Sequence, residues 1–128
     1  MAQVRLGNPT LVIAGPFGVP ETNTTFAAID IPAGSFLPCY AANVIITTLL
    51  DGGTPSIDVG DGDDDDGWVD TTEITETGAG TYGSVAAAYA VTGKYYSAAD
   101  TIDVVLATGL TAGVFYVTAL MYDVEDVL

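Results

Sequence analysis

Basic side chains are nearly absent from this sequence. The 128 residues contain two of them, Arg5 and Lys94, against seventeen aspartates and glutamates, and the net charge is −15. A chain with so few cations cannot neutralise phosphates, so nucleic acid is excluded as a partner. An anionic membrane surface is disfavoured for the same reason. The charge favours a chain that resists nonspecific association or that docks on a basic surface.

Histidine is missing altogether, and Cys39 is the only cysteine. An intramolecular disulfide, a multi-cysteine zinc site and a Cys-His catalytic pair are therefore all excluded. We interpret Cys39 as a small, buried apolar residue. Two carboxylates can in principle cleave a glycoside, but no pair among the seventeen acids stands out. The sequence therefore predicts a protein that is not an enzyme.

Long apolar runs are lacking too. No segment approaches the roughly 20 apolar residues of a membrane-spanning helix. The N-terminus does not show the basic start and apolar core of a secretory signal. We therefore expect synthesis and folding in a cytoplasm. A chain of this length has room for one hydrophobic core.

What the sequence does contain is a series of short segments with β-type alternation, separated by Gly, Pro and Thr turns. Seven to nine such strands without a convincing amphipathic helix predict an all-β, jelly-roll-like β-sandwich. For the alanine-rich segment 85–91 a helix competes with a strand, and we favour the strand. The clearest predicted strands lie at 23–30, 40–50, 56–60, 100–107 and 114–123.

The first 22 residues are punctuated by six Gly and Pro residues. This density excludes a helix and predicts an extended N-terminal arm over 1–22, with a single β-sandwich domain over 23–128. Strands 40–50 and 114–123 are apolar on both faces, which is more apolar surface than one small core needs. That surplus predicts a homo-oligomer, either a trimer or a dimer.

The densest charge lies between Asp58 and Asp70, where seven of thirteen residues are aspartates. Neighbouring carboxylates repel by about 1 kcal/mol at ~4 Å in water and by more where water is excluded. With no basic residue nearby in the sequence, we expect no internal ion-pair network and a solvent-facing loop. Oxygen-rich loops suit Ca²⁺, although no complete calcium-loop frame fits here. The candidate calcium ligands are Asp61, Asp63, Asp64, Asp66 and Asp70.

Tyr95 and Tyr96 are adjacent on a predicted strand. Neighbouring strand residues face opposite ways, so one of the two rings should be exposed and could serve as a contact residue.

Three motifs, in this order and spacing, resemble segments of small virion proteins of tailed phages. They are Ile31-Pro32-Ala33-Gly34-Ser35, then residues 54–62 with Asp66-Gly67-Trp68, then residues 93–104 from Gly-Lys-Tyr-Tyr onward. The resemblance covers roughly residues 31–123 and is to proteins of the capsid decoration or cement type. It implies a jelly-roll-like fold, no catalytic residues, and a homo-oligomer on the capsid surface with the major capsid protein as partner.

Two other functions remain open at this point. A phage tail or fibre component differs from a decoration protein in copy number, because decoration proteins occur in numbers comparable to capsid subunits. A calcium-dependent carbohydrate-binding module would show ion-dependent glycan binding.

Overall fold

The computed structural model of the chain describes residues 3–18, 25–51, 56–70, 79–84, 86–106 and 112–127, with side chains described within residues 7–124 of these ranges. The elements are β1 (Gln3–Gly18), β2 (Thr25–Ile31), β3 (Ser35–Leu37), β4 (Ala42–Asp51), β5 (Ile57–Gly60), β6 (Gly80–Tyr82), α1 (Ala88–Thr92), β7 (Lys94–Tyr96), β8 (Asp100–Leu106) and β9 (Ala112–Val127).

These strands form two antiparallel sheets. The larger sheet is built on β9, which pairs with β1 along one edge and with β4 and then β3 along the other. Strand β6 continues beyond β4, and β7 continues beyond β3. The smaller sheet has the order β2, β8, β5. The predicted all-β, jelly-roll-like sandwich is therefore confirmed as a two-sheet sandwich.

The core lies between the two sheets. Alternate residues of β9, from Phe115 to Met121, point into it, and so do Val44 and Ile46 of β4. The small sheet contributes the alternating set Ile102, Val104 and Leu106 of β8. Period-two alternation is what a strand with one covered face requires, so the sequence pattern and the observed burial have the same origin.

All five of the clearest predicted strands are present, with boundaries that differ by a few residues. Between β2 and β3 the chain makes a tight turn at Pro32-Ala33-Gly34. Gly34 has a φ of 83° there, and its N–H donates to the Tyr96 carbonyl at 2.7 Å. A left-handed residue at this position is what glycine accommodates without strain.

Residues 3–18 are extended, as expected for the first part of the chain, but they are hydrogen-bonded along β9 of the same molecule. The predicted boundary between an arm at 1–22 and a domain at 23–128 falls outside the described residues. The division into an arm over 1–22 and a domain over 23–128 therefore stays a prediction.

The strand predicted for 85–91 is wrong, because Ala88–Thr92 is a short helix. Its first N–H groups have no partner within so short a helix, and those of Tyr89 and Ala90 donate to the Gly67 carbonyl at 2.7 and 3.3 Å. The alanines supply helix propensity and a distant loop supplies the missing acceptor. None of the described helices is long and apolar enough to cross a membrane.

The burial predicted for Cys39 is also wrong. The residue is exposed, in the turn that connects β3 to β4, and its thiol lies 3.2 Å from the Val91 carbonyl oxygen. Cys39 is exposed because it lies in a turn at the surface of the sheet and not at a core position.

After β5 the chain folds back sharply on itself. The Asp61 N–H donates to the Asp64 carbonyl at 2.9 Å, and Val69 returns to pair with Val59 of β5. A Cβ placed on Gly60 would lie 2.0 Å from the Asp64 carbonyl oxygen, whereas one on Gly62 would meet nothing closer than 3.8 Å. Of these two glycines, Gly60 is the one that leaves no room for a side chain.

We therefore predict that Gly60→Ala lowers the free energy of unfolding by about 2 kcal/mol or more, because backbone atoms must move to admit the methyl group. Gly62→Ala is the matched control and should change it by less than about 1 kcal/mol. Chemical denaturation of the two variants measures both values. Equal stability of the two would contradict the fold-back of the chain at Gly60.

Candidate functional site

The aspartate-rich segment is anchored at both ends and closed by a buried tryptophan. Backbone hydrogen bonds join Val59 to Val69, and the Trp68 N–H donates to the Val59 carbonyl at 2.9 Å. The Trp68 side chain is fully buried, and its Nε1–H donates to the Tyr96 hydroxyl at 3.0 Å. Residues 61–67 thus form a compact loop that packs against the core and does not extend freely into solvent.

Asp61 lies at the base of this loop and is only 3% exposed. Its Oδ2 accepts from Lys94 Nζ at 2.6 Å and from the Tyr96 hydroxyl at 2.8 Å. Its Oδ1 accepts the backbone N–H groups of Asp63 at 2.9 Å and Asp64 at 3.0 Å. A buried carboxylate is tolerated only when it is paired and hydrogen-bonded, and this one is both.

Lys94 is held on several sides. Besides Asp61, its ammonium donates to the Tyr89 hydroxyl at 3.1 Å and lies 4.3 and 4.7 Å from the centres of the Tyr89 and Tyr96 rings. Both contacts with the rings are within the range of a cation–π interaction. The cation is therefore enclosed by one carboxylate and two aromatic side chains.

The charges of this pair stabilise each other. Burial lowers the pKa of Lys94, but its hydrogen bonds to Asp61 and Tyr89 outweigh that effect and raise the pKa above its ordinary value. Burial raises the pKa of Asp61, and its bonds to Lys94, to Tyr96 and to two backbone N–H groups more than reverse this, so the net shift is downward. Both groups stay ionised across the neutral range.

The expectation that no internal ion pair holds the aspartate run is therefore wrong. The partner of Asp61 is Lys94 on β7, 33 residues further along the chain, and no local sequence pattern around Asp61 predicts this contact. One signal was available in the sequence. Lys94 and Tyr96 alternate with Tyr95, so a strand places them together on the face opposite to Tyr95. As predicted for this pair, Tyr95 is exposed and Tyr96 is buried.

The five candidate calcium ligands are in three different environments. Both oxygens of Asp61 are already bonded, and Asp63 is exposed and 3.5 Å from Lys94 Nζ. Asp64 and Asp66 lie together with Asp65, with one carboxylate oxygen of each within 4.8 Å of the others. Asp70 is half-buried after the bridge at Val69. Binding of Ca²⁺ by these residues stays a prediction.

A second cluster of carboxylates lies where the loop approaches the start of β8. Single oxygens of Asp61, Asp63 and Asp100 lie within 4.8 Å of one another, and the Lys94 ammonium is already bonded to two of these carboxylates. The lysine supplies the positive charge that such a group requires. In the described part of the chain, this cluster has the chemistry of a structural ion pair centred on Lys94 and Asp61.

Asp66 carries the strongest sign of charge crowding in the loop. Its pKa is raised to about 6 by a hydrogen bond that the protonated Asp66 carboxyl shares with Asp64, by burial, and by the charges of Asp64, Asp70 and Asp58. Like charges held close together cannot all ionise without cost, so Asp66 keeps its proton to a higher pH than an ordinary aspartate.

No family model matches this sequence, and no curated protein matches it significantly. Among solved structures, a chain of the acid-stable capsid of the Helicobacter pylori bacteriophage KHP30 is similar in fold, with a TM-score of 0.67 at 14% identity. That similarity covers 100% of this chain and 99% of the KHP30 chain.

Two further capsid structures contain similar chains. One is the capsid of Ralstonia phage GP4, with a TM-score of 0.58 and 16% identity over 93% of this chain and 86% of that one. The other is the capsid asymmetric unit of the cyanophage Pam1, with a TM-score of 0.53 and 13% identity over 95% and 86%. This chain therefore has a fold that occurs in chains of phage capsids.

The crowded carboxylates predict a pH-dependent stability. A folded-state pKa of about 6 for Asp66 lies above the ordinary value of 3.8, so protonation stabilises the fold. That contribution is complete below the ordinary value and is lost as the pH rises through 6. Asp66→Asn should therefore raise Tm by about 1–3 °C at pH 7.5, a small effect because solvent screens the loop.

The gain should shrink when Tm is measured at pH 5, where the wild-type carboxyl already holds its proton. Asp30→Asn removes one charge from an exposed position on β2 and is the control for net charge. A gain of equal size at both pH values, or the same gain in the control, would contradict a shared proton in the loop.

Proposed function

We propose that this chain is a non-enzymatic structural protein of a phage virion, a capsid decoration or cement protein that stabilises the head shell as a homo-oligomer. The observation that carries the proposal is the near-complete mutual coverage with a chain of the KHP30 capsid. The sequence motifs that resemble phage head proteins support the same function independently.

Electrostatics favours the outer side of the shell over the inner side. The net charge of −15 repels packaged DNA, whose phosphates face the shell interior. A strongly acidic protein is stable against nonspecific association in solution and can approach basic features of a protein surface. The proposed partner is therefore the major capsid protein, contacted from outside.

The ion-paired loop suits a rigid accessory of this kind. Asp61 follows β5 of the small sheet, whereas Lys94 and Tyr96 lie on β7 of the large sheet. The buried pair therefore connects the two sheets at the same point where the acidic loop begins. A reinforcing protein gains from a fold that resists deformation, and this function requires no metal or cofactor.

Purified virions test this proposal. Quantitative mass spectrometry should find the chain at a copy number comparable to that of the major capsid protein, and cryo-electron microscopy should place its density on the outer surface of the shell. Particles that lack the protein should release their DNA at a lower temperature. A handful of copies confined to the tail, or its absence from particles, would overturn the decoration function.

A further inference from the structure

The two sheets present very different surfaces to the outside. On the large sheet, register and burial place a set of outward side chains on the face opposite to the core: Leu11, Ile13, Phe36, Ile45, Tyr116 and Tyr122. We call these six residues the outer patch. Leu11 and Ile13 on β1 are 63% and 58% exposed. Across this face, from β1 at one edge of the large sheet to β6 and β7 at the other, the described outward side chains include no charged group.

The outer face of the small sheet is acidic. Asp58 of β5 and Asp103 of β8 lie on it, because their neighbours Val59 and Val104 point into the core. Asp30 of β2 is exposed on the same side. With seventeen acids in the chain, an uncharged face across the large sheet is a marked segregation of charge. Contiguous apolar surface of this kind marks a contact with another protein.

We propose that the outer patch pairs face to face with the outer patch of a second copy of this chain, related by a two-fold axis. This pairing rests on the homo-oligomer of the proposed function and names the surface that forms it. A two-fold contact uses the same patch on both molecules, so the patch must be compatible with itself. An uncharged, aromatic and aliphatic sheet face meets that condition.

Charge decides through which face two copies of this chain can meet. Each copy carries a net charge of −15, so contact through any acidic surface would bring like charges together. Face-to-face pairing of the large sheets instead leaves both acidic small sheets on the outside of the dimer, where their charges are farthest apart. Asp51, paired with Ala112 at the end of β4, is placed at the margin of the face and not within it.

The size of the patch is also sufficient. The large sheet is four strands wide, from β1 through β9 and β4 to β6. With a strand spacing of about 4.8 Å and a rise of about 3.3 Å per residue, two such faces would bury on the order of 1,000 Å² in total. This is the area at which specific protein contacts begin. Stacked sheets also accommodate each other's twist, as they do inside a sandwich.

The mass of the purified chain in solution tests the pairing without any virion. Light scattering at micromolar concentration should give twice the chain mass of 13.1 kDa. Ile13→Asp places a charge at one of the two most exposed positions of the outer patch and should reduce the mass to that of one chain. Thr25→Asp adds the same charge at an exposed position on β2 and should leave the dimer intact.

Circular dichroism and the emission of buried Trp68 show whether each variant is folded. A monomeric wild type, a trimer, or an Ile13→Asp protein that remains a dimer would each overturn the pairing. These results are separable from the proposed function, because a chain that is monomeric in isolation but abundant on virions would refute the pairing alone.

Discussion

The buried ion pair between Lys94 and Asp61 is the interaction on which the rest of this structure depends. A chain with seventeen acids and two bases uses one of those bases to neutralise its one described carboxylate that is fully buried. Leaving a buried charge unpaired costs about 3–5 kcal/mol, a large part of the stability of a small domain. The main effect of the pair is therefore to remove the cost of burying Asp61, without which this fold could not form.

The ion pair connects several elements of the fold. Asp61 follows β5, Lys94 lies on β7, and Tyr89 of the short helix α1 is hydrogen-bonded to both. The same loop provides the Gly67 carbonyl that completes α1, and it carries Trp68 into the core. One neutralised carboxylate thus holds together a loop, a helix and both sheets. Of the seven aspartates in the run, Asp61 is the buried one, and the other six are half-buried or exposed.

Much of the fold could be predicted from the sequence, because strand alternation is a local property. Strands β8 and β9 followed directly from the spacing of Ile102, Val104 and Leu106 and from the two apolar faces of segment 114–123. The helix at Ala88, the exposure of Cys39 and the partner of Asp61 could not be predicted. The helix depends on the Gly67 carbonyl and the partner of Asp61 is a lysine on β7, and both of these are distant in sequence. The exposure of Cys39 depends on how the turn between β3 and β4 lies at the surface. Local pattern gives the strands, whereas tertiary contacts decide which polar groups are satisfied.

Charge segregation connects this structure to its proposed place in a virion. Acidic side chains are concentrated on the small sheet and the loop, whereas the described side chains on the outward face of the large sheet carry no charge. One molecule therefore presents one surface suited to a copy of itself and another suited to a basic or aqueous environment. The loop and its ion pair lie at the junction of the two sheets, where they fix the relative placement of these surfaces. A decoration protein requires such a fixed arrangement, since its contacts with its own copies and with the shell must form together.

A double-mutant cycle on Lys94→Met and Asp61→Asn tests the central role of the ion pair most directly. The free energy of unfolding is measured for the wild type, both single variants and the double variant. Lys94→Met alone should lose about 3–5 kcal/mol, and adding Asp61→Asn should recover part of that loss, with a coupling of about 2 kcal/mol or more. Additive single losses, with a coupling below about 0.5 kcal/mol, would contradict the account.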